Sequence, residues 1–271
     1  MLIKAGFDIA FDCPAQTPML LQLNIHPSRG ADLLTPDRIA SDPPLPMRDY
    51  LDLFGNRVTR VEVPAGPVTF SNRFVIQDSG EPDETLPDVR TTPIADLPDD
   101  ALLFLVSSRY CDSDKLADFA WAQFGKLSGG ARVVQAISDF VHAKIRFSYA
   151  DARSTRCASD SMHEGIGVCR DFAHLAIALC RCMNIPARYC TGYLGDIGVP
   201  PDVNPGDFSG WAEVFLDGRW WTMDARHNHP RIGRIVMGRG RDAADVAMST
   251  AFGVANLKRF EVMTDEKVEG R

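Results

Sequence analysis

Residues 169–184, reading CRDFAHLAIALCRCMN, are apolar on nearly every side of a helical wheel. Such a helix belongs in the centre of a domain and not on its surface. It stops ahead of Pro186, where the residue before a proline is pushed out of helical geometry. Beyond it, residues 187–194, 211–216 and 219–225 alternate or carry aromatics and read as strands. Before it, residues 114–125 and 131–145 have apolar side chains near helical spacing, among them Leu116, Phe119 and Phe124, then Val133, Ile137 and Val141. The class is therefore α+β, with a buried helix carrying a cysteine at its first position against an antiparallel sheet.

The chain holds 271 residues, enough for two domains. Residues 1–90 break into short apolar runs (19–25, 57–63, 68–76) punctuated by prolines, the pattern of a small β-rich unit. Residues 80–100 are acidic and proline-rich, a linker composition. The expected division is a β-rich domain over 1–95 and a core domain over 96–265.

Composition excludes several functions. With 45% hydrophobic and 24% charged residues the chain is neither fibrous nor disordered. A net charge of −7 without any basic run argues against nucleic acid or an anionic membrane as partner. Asp8 and Asp12 interrupt the first apolar stretch, and no run approaches the roughly 20 apolar residues of a membrane span, so a cytoplasmic location is expected. The seven cysteines show no paired spacing, unlike a disulfide scaffold.

One cysteine stands apart. Cys169 follows Gly165-Ile166-Gly167-Val168 and opens the buried helix, where the positive end of the helix dipole favours thiolate and the first amides offer an oxyanion site. The plain alternative is a small buried hydrophobe. A second feature is Leu216-Asp217-Gly218-Arg219, which predicts a two-residue hairpin turn with Leu216 facing Arg219. Extended outward, that register pairs Trp211 with Asp224 and Ser209 with Arg226 on one mixed face, while Ala212, Val214, Leu216, Trp221, Met223 and Ala225 form an apolar face. A group at 209 and a carboxylate at 224 would then be neighbours.

The blocks Gly167-Val168-Cys169-Arg170-Asp171-Phe172-Ala173, Ile185-Pro186-Ala187-Arg188-Tyr189, Gly192-Tyr193 and Trp211-Ala212-Glu213-Val214-Phe215, followed by Trp220 and Asp224, resemble the bacterial transglutaminase-like superfamily of cysteine proteases and acyltransferases. The likeness covers about residues 100–260 and implies a papain-like core with a Cys–His–Asp triad, Cys169 as nucleophile and Asp224 as triad aspartate. It implies a peptide or protein amide substrate, with Trp211 near it, and neither a metal nor an organic cofactor. The chain departs from the family at one point. Ser209 stands where the family has its histidine, and a serine hydroxyl does not take up a proton near neutral pH.

Substitutes for that base are few. His174, five residues past Cys169, points about 140° away on the helix and reads as a core histidine. His227, three residues beyond Asp224, and His163, in the approach to Cys169, remain candidates, against surface or capping roles. Asp171 suits the dipole as an N-terminal stabiliser. Cys180 and Cys182 diverge on a helix and lack the spacing of a zinc pair. The competing expectation is a catalytically degenerate module that binds or scaffolds.

Overall fold

The computed structural model describes residues 1–201 and 206–267. Six strands come first: β1 (Leu2–Cys13), β2 (Thr17–Leu21), β3 (Ala40–Asp42), β4 (Met47–Leu51), β5 (Arg57–Val63) and β6 (Gly66–Gln77). The helical section follows, with α1 (Asp99–Leu102), α2 (Ala117–Phe124), α3 (Gly130–Lys144), β7 (Arg146–Phe147), α4 (Ala158–Glu164), β8 (Ile166–Gly167) and α5 (Cys169–Cys182). The chain then runs through β9 (Ala187–Tyr193), β10 (Ser209–Leu216), β11 (Arg219–Met223), β12 (Ile235–Gly240), β13 (Ser249–Ala251) and β14 (Asn256–Glu266).

Alternation in β1 buries Ile3, Ala5, Phe7, Ile9 and Phe11, as expected of a strand with one face on a core. Two four-stranded sheets, in order β14-β1-β6-β3 and β13-β2-β5-β4, share that core, with Phe7 and Phe70 from one packed among Met19, Leu21 and Val61 from the other. Both sheets draw their first strand from residues beyond 248. A core ending at 265 would assign β13 and β14 to the helical section, but β14 pairs antiparallel with β1 from Ile3↔Glu266 to Asp12↔Asn256, and β13 pairs with β2. Without them β1 and β2 would be bare edges with unpaired amides and carbonyls.

A third sheet, β11-β10-β9-β12, carries α5 on one face. Every predicted apolar-face residue of the hairpin, Ala212, Val214, Leu216, Trp221, Met223 and Ala225, packs in that core with Leu175, Ile177, Leu179 and the inner faces of α2 and α3. Burying a leucine or isoleucine fully is worth about 1.5–3 kcal/mol, so these three helix residues together contribute about 4.5–9 kcal/mol to seating α5 on the sheet. The sheet's far end joins the β core, because Tyr193, Phe208, Ile235 and Met237 pack beside Phe7 and Phe74. The two units therefore share apolar packing.

The acidic stretch 80–100 is largely exposed, as a linker would be, yet it is tethered at several points. Asp83 accepts from Arg234 Nε at 2.8 Å and from the Arg231 amide at 3.0 Å, Glu84 pairs with Arg219, and Leu97 and Ala101 pack on Phe215. Its charges were legible in the sequence; their partners, some 150 residues away, were not.

Candidate active site

Cys169 is the first residue of α5. Asp171 secures that helix end: its Oδ2 accepts from the Val168 amide at 2.9 Å and from Arg156 Nη1 at 3.1 Å. This is the N-terminal stabiliser expected of it. The Cys169 residue is partly exposed, and the backbone amides of Gly210 and Arg170 face its thiol. The thiol is nonetheless not activated at rest. Burial pushes it up to about 11, with Asp207 adding to the rise, and together they outweigh Arg226 and the two amides, which favour thiolate. Burial thus outweighs the groups that favour thiolate at this helix start, where position alone pointed to a lowered value.

The hairpin register is as expected for five pairs, from Leu216↔Arg219 to Ala212↔Met223, with Asp217 and Gly218 at φ 51° and 79°. It does not continue to the pairs Trp211–Asp224 and Ser209–Arg226. Asp224 ends the ladder by folding the chain into a turn, its Oδ1 accepting from the amides of Arg226 and His227, both at 3.1 Å. His142 of α3 clamps the same turn, its Nδ1 donating to the carbonyls of Ala225 and Arg226 at 3.1 and 3.0 Å.

The turn gives Asp224 two further partners. His227 Nδ1 donates to Oδ2 at 2.8 Å and Arg234 Nη2 donates to the same oxygen at 2.7 Å. Although burial opposes it, the Arg234 cation and these hydrogen bonds hold the Asp224 carboxyl far below the usual range. The carboxylate expected to orient a base at 209 orients His227 instead. Because Nδ1 carries the donated hydrogen, a neutral His227 has Nε2 as its acceptor nitrogen.

Ser209 is 5% exposed, and its Oγ has no hydrogen-bond partner among the described residues. Its neighbour Gly210 has Tyr189 against it: a Cβ built there would lie well inside van der Waals contact of the Tyr189 hydroxyl. Position 210 thus admits nothing larger than glycine while that ring stays put. Trp211, expected near the substrate, is 2% exposed and packs with Cys190 and Val236 under Arg234. His163 is exposed in the last turn of α4 and does not line the cleft described below. His174 is the core histidine expected. It is fully buried, stacked on Tyr110, and accepts from the Ala243 amide at 3.1 Å; burial holds it neutral, well below its ordinary value.

A cleft of about 480 Å³ runs beside these groups. Ser209, Asp207, Arg226 and His227 line one side, and Val262 to Glu266 of β14 line another. Asp207 and Arg226, the ionisable groups that bear most on the thiol, were not proposed as site residues from the sequence. One signal was available for Asp207: it lies two residues before Ser209, hence on the same side of an extended chain. Among the described residues no group of three or more His, Cys, Asp or Glu side chains is arranged to hold a metal.

A thiol at the amino end of a buried helix, set against an antiparallel sheet whose hairpin carries a buried aspartate, defines a papain-like thiol core. The chain belongs to the transglutaminase-like superfamily: the family model matches residues 120–225. It is similar to the crystal structure of a candidate cysteine protease from Cytophaga hutchinsonii, at 30% identity and a TM-score of 0.85 over 98% of this chain and 90% of that one. An uncharacterised protein of Mycobacterium leprae is 26% identical over 221 residues, 78% of this chain and 77% of its own length. One from Mycobacterium tuberculosis is 39% identical over 89 residues, 30% of this chain and 28% of its own. No helix among the described residues is long and apolar enough to cross a membrane.

Proposed function

We propose that this protein is a cysteine-nucleophile enzyme acting on amide bonds of peptides or proteins. In this reading the Cys169 sulfur attacks the carbonyl carbon, the amine leaves with a proton, and a thioester remains, to be resolved by water or by a second amine. The single observation that carries the reading is the position of Cys169, partly exposed at the start of α5 with the Gly210 and Arg170 amides facing its sulfur. Those amides suit the negative charge on the thiolate before attack and the charge that develops on the carbonyl oxygen as the sulfur–carbon bond forms. The substrate lies in the adjoining cleft, and the chemistry calls for no cofactor. The cytoplasmic location expected from the sequence belongs to the same proposal.

The test is covalent labelling. Incubation with p-nitrophenyl acetate followed by intact-mass and peptide analysis is expected to show one acetyl group on Cys169, absent from Cys169→Ala. Acetylation spread over several residues, or equal in both proteins, would remove the enzyme reading.

A specific observation favours a second reading. The buried, unpartnered hydroxyl of Ser209 at the family's histidine position is what a core that has lost its base would contain. A binding module of this kind is expected to leave Cys169 unlabelled in the native protein and to gain labelling in Ser209→His.

A further inference from the structure

We propose that the outer face of the sheet β13-β2-β5-β4 docks an extended peptide segment of a partner protein, with an acidic side chain held between Arg48 and Arg60 and an apolar one two residues to either side. None of these residues lines the cleft beside β14, and the surface needs nothing of Cys169. Arg48 on β4 and Arg60 on β5 are direct cross-strand partners, and the row continues through Leu20 of β2 to Thr250 of β13. This face is turned away from the core, since the alternate residues Met19 and Val61 are the buried ones.

Like charges directly opposite each other destabilise a sheet. Both arginines are exposed, and among the described residues neither forms a hydrogen bond or an ion pair that would relieve the repulsion. Arg57, on the same strand as Arg60, is by contrast paired with Asp49. A charged side chain on an edge strand keeps other strands away, which would account for Arg48 on β4. It does not account for Arg60, because β5 is paired on both sides.

Two hollows meet at the arginine pair, which lines both. One, of about 460 Å³, is lined also by Pro18, Leu20, Tyr50 and Phe252, with Phe252 64% exposed. The other, of about 360 Å³, is lined also by Pro46, Met47 and Glu62. Unpaired guanidinium groups match a carboxylate, and exposed aromatic and aliphatic surface beside them matches apolar side chains. A compact anion would leave the hollows empty. An extended chain spans them, because its side chains at i and i+2 point the same way about 7 Å apart. The pattern that fits is apolar, any, acidic, any, apolar. Glu62 adds a restriction, since a further acid in the second hollow meets a like charge.

The probe is a peptide Ser-Leu-Ser-Glu-Ser-Leu-Ser, labelled with fluorescein at its amino end and amidated at the other, followed by fluorescence anisotropy. The wild type is expected to bind it saturably and to lose affinity as salt is added. Arg48→Gln and Arg60→Gln are each expected to weaken binding about 10- to 100-fold, the range for losing a hydrogen bond to a charged group. The same substitutions should leave the urea midpoint unchanged or raised, because they relieve the repulsion. Arg60→Glu, which gives Arg48 a partner within the sheet, should raise the midpoint and abolish binding. A midpoint that falls in step with affinity would give the arginines a structural role and overturn the proposal. Equal binding of the peptide with glutamine in place of glutamate, unchanged binding by the variants, or no saturable binding at millimolar peptide would also overturn it. So would unchanged affinity when both leucines become serine, which leaves a site for small anions only, or sedimentation showing that this face joins two copies of the chain.

Discussion

Residue 210 is a glycine with the Tyr189 hydroxyl lying over it, and Tyr189 is itself buried against His174. A methyl group there has to displace a rigid ring that has little room to move. Gly210→Ala is expected to destabilise the protein by about 1–3 kcal/mol, the usual range for overpacking, seen as a lowered urea midpoint at unchanged slope. Cys169 gives a second prediction at this scale. With its thiol pushed up to about 11, alkylation by iodoacetamide should be slow at neutral pH and rise about tenfold per pH unit up to that value. A rate already level at pH 8 would contradict it. The sequence picked out Cys169 correctly as the start of the buried helix, because spacing and the glycine approach are local signals. It could not show the sign of the pKa shift, which depends on burial in the folded chain and on groups about 40 positions later, Asp207 raising it and the Gly210 amide lowering it.

The turn that follows β11 belongs to the next scale. Its Asp-Gly hairpin was legible because the two left-handed positions demand those residue types. The ladder's early end was not, since it depends on Asp224 capping the amides of Arg226 and His227 and on Arg234 arriving from ten residues away. Asp224→Asn is expected to cost about 3 kcal/mol. That is the low end for breaking a buried ion pair, because Asp83 still holds Arg234. The pH dependence has a definite sign. The folded carboxyl lies below the unfolded value near 3.9, so its stabilisation is present above about pH 4 and is lost as pH falls through the folded value. Acid titration of unfolding should therefore be shallower in the Asn variant over that window, and equal slopes would count against the pairing.

For the whole molecule, the β-rich opening was readable from prolines and apolar runs, and the helical section from its period. The return of β13 and β14 was not. β14 is exposed or half-buried throughout, and its alternation, with Phe260, Val262 and Thr264 half-buried between exposed neighbours, covers only its middle, too short a signal to mark the strand. Its role is architectural: it covers the β1 edge, places Phe260 and Val262 against the β core, and forms one wall of the cleft. Deleting residues 256–267 is expected to give a chain that aggregates through the exposed β1 edge and loses its cooperative thermal transition, measurable by light scattering and calorimetry. A monomeric protein with an unchanged transition would refute this.

That return of the last strand also sets an order in time. Synthesis runs from residue 1 onward, so the sheet holding β1 and the sheet carrying α5 can both begin to assemble while β14 is still inside the ribosome. The cleft cannot, since one of its walls does not yet exist. Whatever chemistry Cys169 performs, this wall stands beside it only after β14 has emerged and paired with β1.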